Sequence, residues 1–372
     1  MNKPRARDLG LPFNGKTGKY NAITDVRGVE VGFITLTDPK KDMRTGVTAV
    51  LPRGKEIKIP RPVWAGHFAL NGNGEMTGTH WVDDAGYFIG PVCITNTHAI
   101  GAVHEGTVKW MLGRYRDYFT SQHAWAIPII AETYDGVLND INAFHVTPSH
   151  AIEALNSAKS GPLAEGSVGG GNGMMCYEFK GGTGTSSRLV ETDGETYVVG
   201  VLVQANHGKR DCLTICGKNV GKIMPAWQEN SGENPGIPKT GVGEAVKETG
   251  SVIVIIATDV PLGPLQLRQL AKRASIGIGR GGTPGGNSSG DIFLAMSLAD
   301  EAVKMPDMDK NLLQFTYLNN HAIDPVYRAV VEATEEAVVN ALVAGETVIA
   351  VKPRGKIIPA IDTEILRGLF TE

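Results

Sequence analysis

The chain has 372 residues, 42% of them hydrophobic and 20% charged, with a formal net charge of −3. These are globular values: they exclude a disordered chain, and the near-neutral balance offers no basic footprint for nucleic acid. Four cysteines in a chain this long exclude a disulfide scaffold.

Residues 1–20 are polar and broken by Pro4, Pro12 and three glycines, an irregular lead-in. Residues 1–8 are charged without an apolar core, so no signal peptide is expected. No apolar run approaches the roughly 20 residues that span a membrane. The expectation is a soluble, cytoplasmic protein with no membrane partner. Within the lead-in, Gly10 to Thr17 fits the phosphate-loop pattern, ending in Gly15-Lys16-Thr17. Its context fails, because no buried strand feeds the glycines and no apolar-periodic helix follows Thr17. A nucleotide-binding module there is a remote alternative.

Short strand-like runs follow at 26–37 and 46–51, then a glycine-rich stretch, Asn71-Gly-Asn-Gly-Glu75, inside 63–79. Residues 91–94 read as a buried strand. Residues 97–116 read as a helix with Val103, Val108, Met111 and Leu112 on its inner face. The run 125–132 reads as a buried strand that delivers Glu132 at its polar end, and 148–158 as a helix with Ile152 and Leu155 inward. The segment 166–184 is dense in glycine. Residues 196–205 form a strongly hydrophobic strand ending at Asn206-His207-Gly208. Residues 217–250 are the most linker-like part of the chain.

The stretch Lys247-Glu-Thr-Gly-Ser-Val-Ile-Val-Ile-Ile-Ala-Thr-Asp259 is the centre of the reading. Gly250-Ser251 opens a β-branched run that predicts a fully buried strand. The pair reads either as a turn entering that strand or as a scissile bond. Cleavage between them would leave an α-amine, of reference pKa about 8, beside the Ser251 hydroxyl, where it serves as the base for its own nucleophile. Beyond it, 264–280 predicts a helix with Leu267, Leu270, Ala271 and Ala274 at helical spacing. Residues 291–298 predict a strand, Asp324 to Val343 a helix stopped by Gly345, and 347–351 a last short strand. The irregular alternation points to mixed, largely antiparallel sheets rather than a regular βαβ series.

Polar groups at the ends of apolar strands are the candidates for chemistry. Glu132 is costly to bury unpaired, so it either meets a basic side chain or holds a substrate ammonium. Asn206 either caps a turn or donates its amide to an oxyanion. Ser289 and Asp291 alternate along an extended segment and share a face, where they orient one another or an amine, or merely enter a strand. The nine histidines offer no metal-ligand spacing, and Cys212 and Cys216 lack a second pair, so no metal or cofactor is expected. No G-x-S-x-G elbow is preceded by a strand.

Taken together the motifs resemble the L-aminopeptidase/D-esterase and β-peptidyl aminopeptidase family. They are Arg5-Ala-Arg-Asp-Leu-Gly10, Asn21-Ala-Ile-Thr-Asp-Val26, Thr45-Gly-Val-Thr-Ala-Val-Leu-Pro52, Leu70-Asn-Gly-Asn-Gly-Glu-Met-Thr-Gly-Thr-His80, Ala131-Glu-Thr-Tyr-Asp-Gly136, Val203-Gln-Ala-Asn-His-Gly208 and Gly250-Ser251. The resemblance implies an α/β, four-layer αββα sandwich like that of N-terminal-nucleophile hydrolases, with 1–372 as one catalytic domain made as a precursor. It implies self-cleavage into 1–250 and 251–372, with Ser251 as nucleophile. The family's second serine and carboxylate fall on Ser289 and Asp291, its oxyanion asparagine on Asn206 and its amine-binding carboxylate on Glu132. Tyr134 is a candidate for the tyrosine near the oxyanion, and Lys180 a further substrate-binding candidate. The implied activity is release of N-terminal residues from short peptides, amides or esters, including those of β- or D-amino acids. The implied assembly is a homo-oligomer, a tetramer of processed heterodimers. A self-processing acyltransferase or oligoamide hydrolase of the same fold is the alternative; such relatives carry threonine where this chain has Ser251.

Overall fold

The computed structural model describes residues 3–121, 123–224, 249–299, 311 and 315–371. The first strands are β1 (Glu30–Asp38), β2 (Met43–Leu51), β3 (Pro62–Gly72), β4 (Tyr87–Ile89), β5 (Val92–Asn96) and β6 (Ile129–Thr133). Then come β7 (Met175–Cys176), β8 (Phe179–Lys180), β9 (Gly182–Thr192) and β10 (Glu195–Asn206). The last are β11 (Thr249–Thr258), β12 (Ser288–Ser297), β13 (Val348–Ile349) and β14 (Ile357–Ile358).

Four strands form one sheet in the order β1-β2-β5-β6, and six form another in the order β4-β3-β12-β11-β10-β9. Each large sheet contains one parallel pair, β5–β6 and β11–β12, among antiparallel neighbours. A parallel pair needs a long crossover. Here the helices Ile100–Arg114 and Pro264–Arg280 lie within those crossovers.

Side-chain alternation divides each central strand between two cores. Ile253, Ile255 and Ala257 of β11 join Val31, Ile94 and Ala131 in a core between the sheets. Val252, Val254 and Ile256 point the other way, to the helices Pro264–Arg280 and Asp324–Val343. A third core joins β2 and β5 to the helices Ile100–Arg114 and Pro148–Ser157. The layers are therefore helix, sheet, sheet, helix, as the resemblance implies.

Much of the glycine serves this layering. A Cβ on Gly184 of β9 would lie 1.9 Å from the Ala337 carbonyl oxygen, and one on Gly66 of β3 2.1 Å from the Arg268 nitrogen. Only glycine lets the helix backbones seat this close to the sheet. The polar lead-in crosses the helix Asp324–Val343 through a buried ion cluster. Arg188 pairs with Glu336 at 2.7 Å, and Arg7 with the same carboxylate at 3.0 Å.

Some local expectations need correction. The helix 100–114 buries Val103, Gly106, Thr107, Trp110 and Met111, whereas Leu112 is 44% exposed and Val108 only half-buried. Stepping three or four residues from Val103 reaches Trp110 and Met111, and the next residue turns away. In the helix Pro148–Ser157, Leu155 is buried with Ala151 and Ala154, while Ile152 is only half-buried. Strand β6 starts at Ile129 rather than Trp125, because Pro128 has no N–H for a ladder. The short helix Thr79–Ala85 was not anticipated in the glycine-rich stretch. Within the linker-like segment, residues 225–248 lie outside the described residues.

Candidate active site

Strand ends at one edge of the six-stranded sheet assemble the site. Ser251, at the start of β11, is paired on one side with Asn206, at the end of β10, and on the other with Gly290 of β12. Asn73 and Gly74, just beyond β3, lie against Gly290: a Cβ on Gly290 would meet the Asn73 carbonyl oxygen at 2.4 Å and the Gly74 Cα at 3.0 Å. Gly74 in turn lies against Glu132, whose Oε1 would stand 3.1 Å from a Cβ there. Ser251, Asn206, Glu132 and Tyr134 all line one cavity of about 810 Å³, shared with Asn73, Met175 and His207 among others.

Ser251 is buried, and its Oγ makes no hydrogen bond to a protein group among the described residues. Its side chain lies on the inter-sheet face, in phase with Ile253 and Ile255. Gly250 pairs with Ser289 and fits tightly, since a Cβ there would lie 2.3 Å from the Asn206 carbonyl oxygen and 3.0 Å from the His207 Cα.

Asn206 is held from two sides. Its Oδ1 accepts from the Met175 N–H at 2.8 Å, and its Nδ2 donates to the Tyr134 carbonyl at 2.9 Å. The Met175 donor fixes which end is oxygen, so the second amide hydrogen is free for a developing oxyanion. Tyr134 thus contributes its backbone to the placement of Asn206, while its side chain is 48% exposed at the cavity wall.

Ser289 donates to Asp291 Oδ1 at 2.6 Å, and Asn71 Nδ2 donates to Asp291 Oδ2 at 3.0 Å. The register puts this buried pair beside Gly250 and Val252, on the sheet face opposite the Ser251 side chain. With its own hydrogen given to Asp291, the Ser289 oxygen keeps lone pairs that can accept a further hydrogen bond.

Glu132 accepts from the Glu75 N–H at 3.1 Å through Oε1 and from the Thr97 hydroxyl through Oε2. Burial raises its pKa above the usual carboxylate range, against those two hydrogen bonds. Among the described residues no lysine or arginine forms an ion pair with it, and the Glu75 carboxylate adds negative potential nearby. This end of the cavity suits a bound ammonium. Lys180 is placed elsewhere: fully buried, it donates to the carbonyls of Gly181 at 2.7 Å and Gly171 at 3.4 Å and is not part of the cavity wall. Burial first, and then the charges of Arg44 and Lys3, push its pKa down to about 7.

Residues that sequence reasoning passed over also line the cavity: His207, Met175, Glu178, Lys209 and Lys356. His207 is buried against Tyr177, ring centroids 5.2 Å apart, and burial lowers its pKa to about 4, so it stays neutral. Its position directly after Asn206 was the signal available. Lys356, more than a hundred residues from the nucleophile, carried none. The Gly10 to Thr17 stretch is no phosphate loop: it follows a short 3₁₀ turn, Ala6–Leu9, precedes no helix, and packs Gly15 onto Arg188 and Glu332.

Residues 21–355 match the profile of peptidase family S58. Among solved structures, the L-aminopeptidase D-Ala-esterase/amidase of Ochrobactrum anthropi superposes with a TM-score of 0.88. It is 50% identical in sequence, and the match covers 99% of this chain and 98% of that one. That enzyme is described as a prototype of the serine aminopeptidases and a new variant of the Ntn hydrolase fold. A β-aminopeptidase from a Burkholderia species superposes with a TM-score of 0.84 at 40% identity, covering 98% of this chain and 97% of that one. The β-peptidyl aminopeptidase BapA of Sphingosinicella microcystinivorans is 49% identical over 367 residues, 94% of this chain and 87% of that protein. With the family match spanning most of its length and relatives this close, the chain belongs to peptidase family S58 and has its Ntn-hydrolase-type fold.

Proposed function

We propose that this peptidase is a self-processing serine aminopeptidase that releases N-terminal residues, β- and D-amino acids included, from short peptides, amides and esters. The observation that carries the reading is the position of Ser251. Among the described residues it is a buried hydroxyl without a hydrogen-bond partner at a strand start, between an asparagine amide with one free hydrogen and a cavity that holds a carboxylate without an ion-pair partner.

Processing divides one catalytic unit, 1–372, into 1–250 and 251–372. The new α-amine of Ser251 then takes the proton of its own Oγ as that oxygen attacks the substrate carbonyl. Ser289, held by Asp291, accepts a hydrogen bond from the amine and orients it. The free N–H of Asn206 stabilises the oxyanion in a site where little reorganisation is needed. Glu132 holds the substrate ammonium, which restricts attack to the first residue of a chain. Collapse of the tetrahedral species expels the leaving group, and water attacks the resulting ester by the same groups in reverse. On the same reading the fragments assemble as a tetramer of heterodimers and act in the cytoplasm.

Intact mass and N-terminal sequencing of the purified protein test the first step. Two fragments are expected, the smaller beginning Ser251-Val252-Ile253, and Ser251→Ala is expected to give one uncut, inactive chain. A wild-type chain that stays whole yet hydrolyses an amino-acid p-nitroanilide would refute the amine-base mechanism.

A further inference from the structure

The cavity is electrically polarised along the sheet edge. At one end, beside Gly74, stand the carboxylates of Glu132 and Glu75. Lys209 and Lys356 line the same cavity, and the chain path puts them on its β10 side. Lys209 follows Asn206 by three residues, after Gly208 turns the chain at φ 87°. Lys356 sits in the turn before β14, whose hairpin with β13 packs on Val137 and Met175, both in the cavity wall. The hairpin is tied to the β10 side: Lys180 N–H donates to the Pro359 carbonyl, and Met175 and Tyr177, just before it, bond to Asn206 and His207.

The order of strand ends is thus Gly74 beside Glu132, Gly290, Ser251, and then Asn206 leading to Lys209. Neighbouring strands lie about 4.8 Å apart, so the nucleophile stands between an acidic wall and a basic wall. Among the described residues neither lysine forms an ion pair or a side-chain hydrogen bond. The third carboxylate of the wall, Glu178, faces Arg210, whose guanidinium donates to the Glu178 carbonyl at 3.0 Å. Among the described residues the two lysines are therefore the uncommitted positive charges of the cavity. A peptide with its ammonium on Glu132 and its first carbonyl at Ser251 must direct its leaving residue toward them. One residue spans at most about 3.6 Å of extended chain, so only a short leaving group keeps its terminal carboxylate within the cavity.

We propose that Lys209 and Lys356 bind the C-terminal carboxylate of the leaving residue, making dipeptides with a free C-terminus the preferred substrate class. This rests on the aminopeptidase reading of the same cavity. The test is the ratio of kcat/KM for a dipeptide to that for the same dipeptide as its C-terminal amide, in the processed enzyme. The ratio is expected to favour the acid. It is expected to fall at least fivefold in Lys356→Met, further in the Lys209→Met/Lys356→Met double variant, and to be largely kept in Lys356→Arg. Added salt is expected to raise KM for the acid more than for the amide, as screening acts on partly exposed charges. A ratio unmoved in all three variants, with both substrates turned over, overturns the lysine assignment alone. Failure of the wild type to cleave either substrate overturns the aminopeptidase reading beneath it.

Discussion

Replacing Gly250 by alanine tests the processing geometry without touching the nucleophile. The added methyl would lie 2.3 Å from the Asn206 carbonyl oxygen, where an ordinary contact begins near 3.4 Å. The obstructing atoms are backbone, so β11 and β10 must part by about 1 Å at the pair that joins Ser251 to Asn206. A misplacement of about 1 Å costs roughly 10²-fold in a reaction that depends on near-attack geometry. Overpacking of this kind destabilises a fold by roughly 1–3 kcal/mol, which a protein of this size survives. The Gly250→Ala chain should therefore fold, with a modest loss in Tm, and cut itself at least about 100 times more slowly. Its fragments are followed by gel and intact mass over time. Gly279→Ala, where a methyl meets nothing within 4 Å, is the matched control and should process normally. Processing of Gly250→Ala at the wild-type rate would refute the claim that close β10–β11 packing sets the scissile bond.

Three further outcomes follow from the site. Glu132→Gln should raise KM for substrates with a free amine by roughly 10- to 100-fold, the worth of a hydrogen bond to a charged group, with little change in kcat. Because burial raises the pKa of Glu132, acidification should raise the wild-type KM at a pH above the usual glutamate range, and that dependence should vanish in Glu132→Gln. Asn206→Asp keeps an acceptor for the Met175 N–H but loses the oxyanion donor, so kcat should fall at least roughly 10²-fold in single-turnover measurements. Lys180→Met bears on stability. With a folded pKa of about 7 against an unfolded value near 10.4, Lys180 destabilises the fold increasingly as pH falls from about 10 to 7, and fully below 7. That cost is on the order of 5 kcal/mol at most. Lys180→Met should therefore raise Tm, relative to wild type, more at pH 7 than at pH 10; a shift that does not vary with pH would refute the assignment.

The organising strand was legible because burial on both faces favours an unbroken β-branched run, and residues 252–256 supply one. Its polar neighbours were legible for the complementary reason: Glu132, Asn206 and Asp291 each interrupt or end such a run, and burying them costs energy unless they are used. Helices 264–280 and 324–343 declared themselves by spacing and by proline at their starts. Sheet order was not legible from local pattern, because nothing in the run 288–297 states that it lies parallel to β11 rather than antiparallel. Without that register, Ser289 and Asp291 read only as sharing a face with one another, and the parallel pairing adds that this face is opposite the Ser251 side chain. The basic wall was hidden for a simpler reason. Exposed lysines are common, and only the placement of the β13–β14 hairpin against Val137 and Met175 gives Lys356 a meaning.

On the proposed processing at Gly250-Ser251, the interleaving of the six-stranded sheet bears on the life of the enzyme after cutting. Strands β11 and β12, from the smaller piece, lie between β3 and β10, from the larger, so each piece is the other's missing core. Breaking the chain at Ser251 therefore frees a terminus without freeing a subunit. What was a unimolecular folding reaction becomes, on the return path, a bimolecular one between two incomplete halves. Refolding of the mature enzyme should then slow with dilution, while refolding of an uncut Ser251→Ala precursor should not. On that reading the cut is a ratchet: assembly would be available once, from the intact chain, and the finished enzyme would be preserved by its barrier to unfolding rather than by any ready route back.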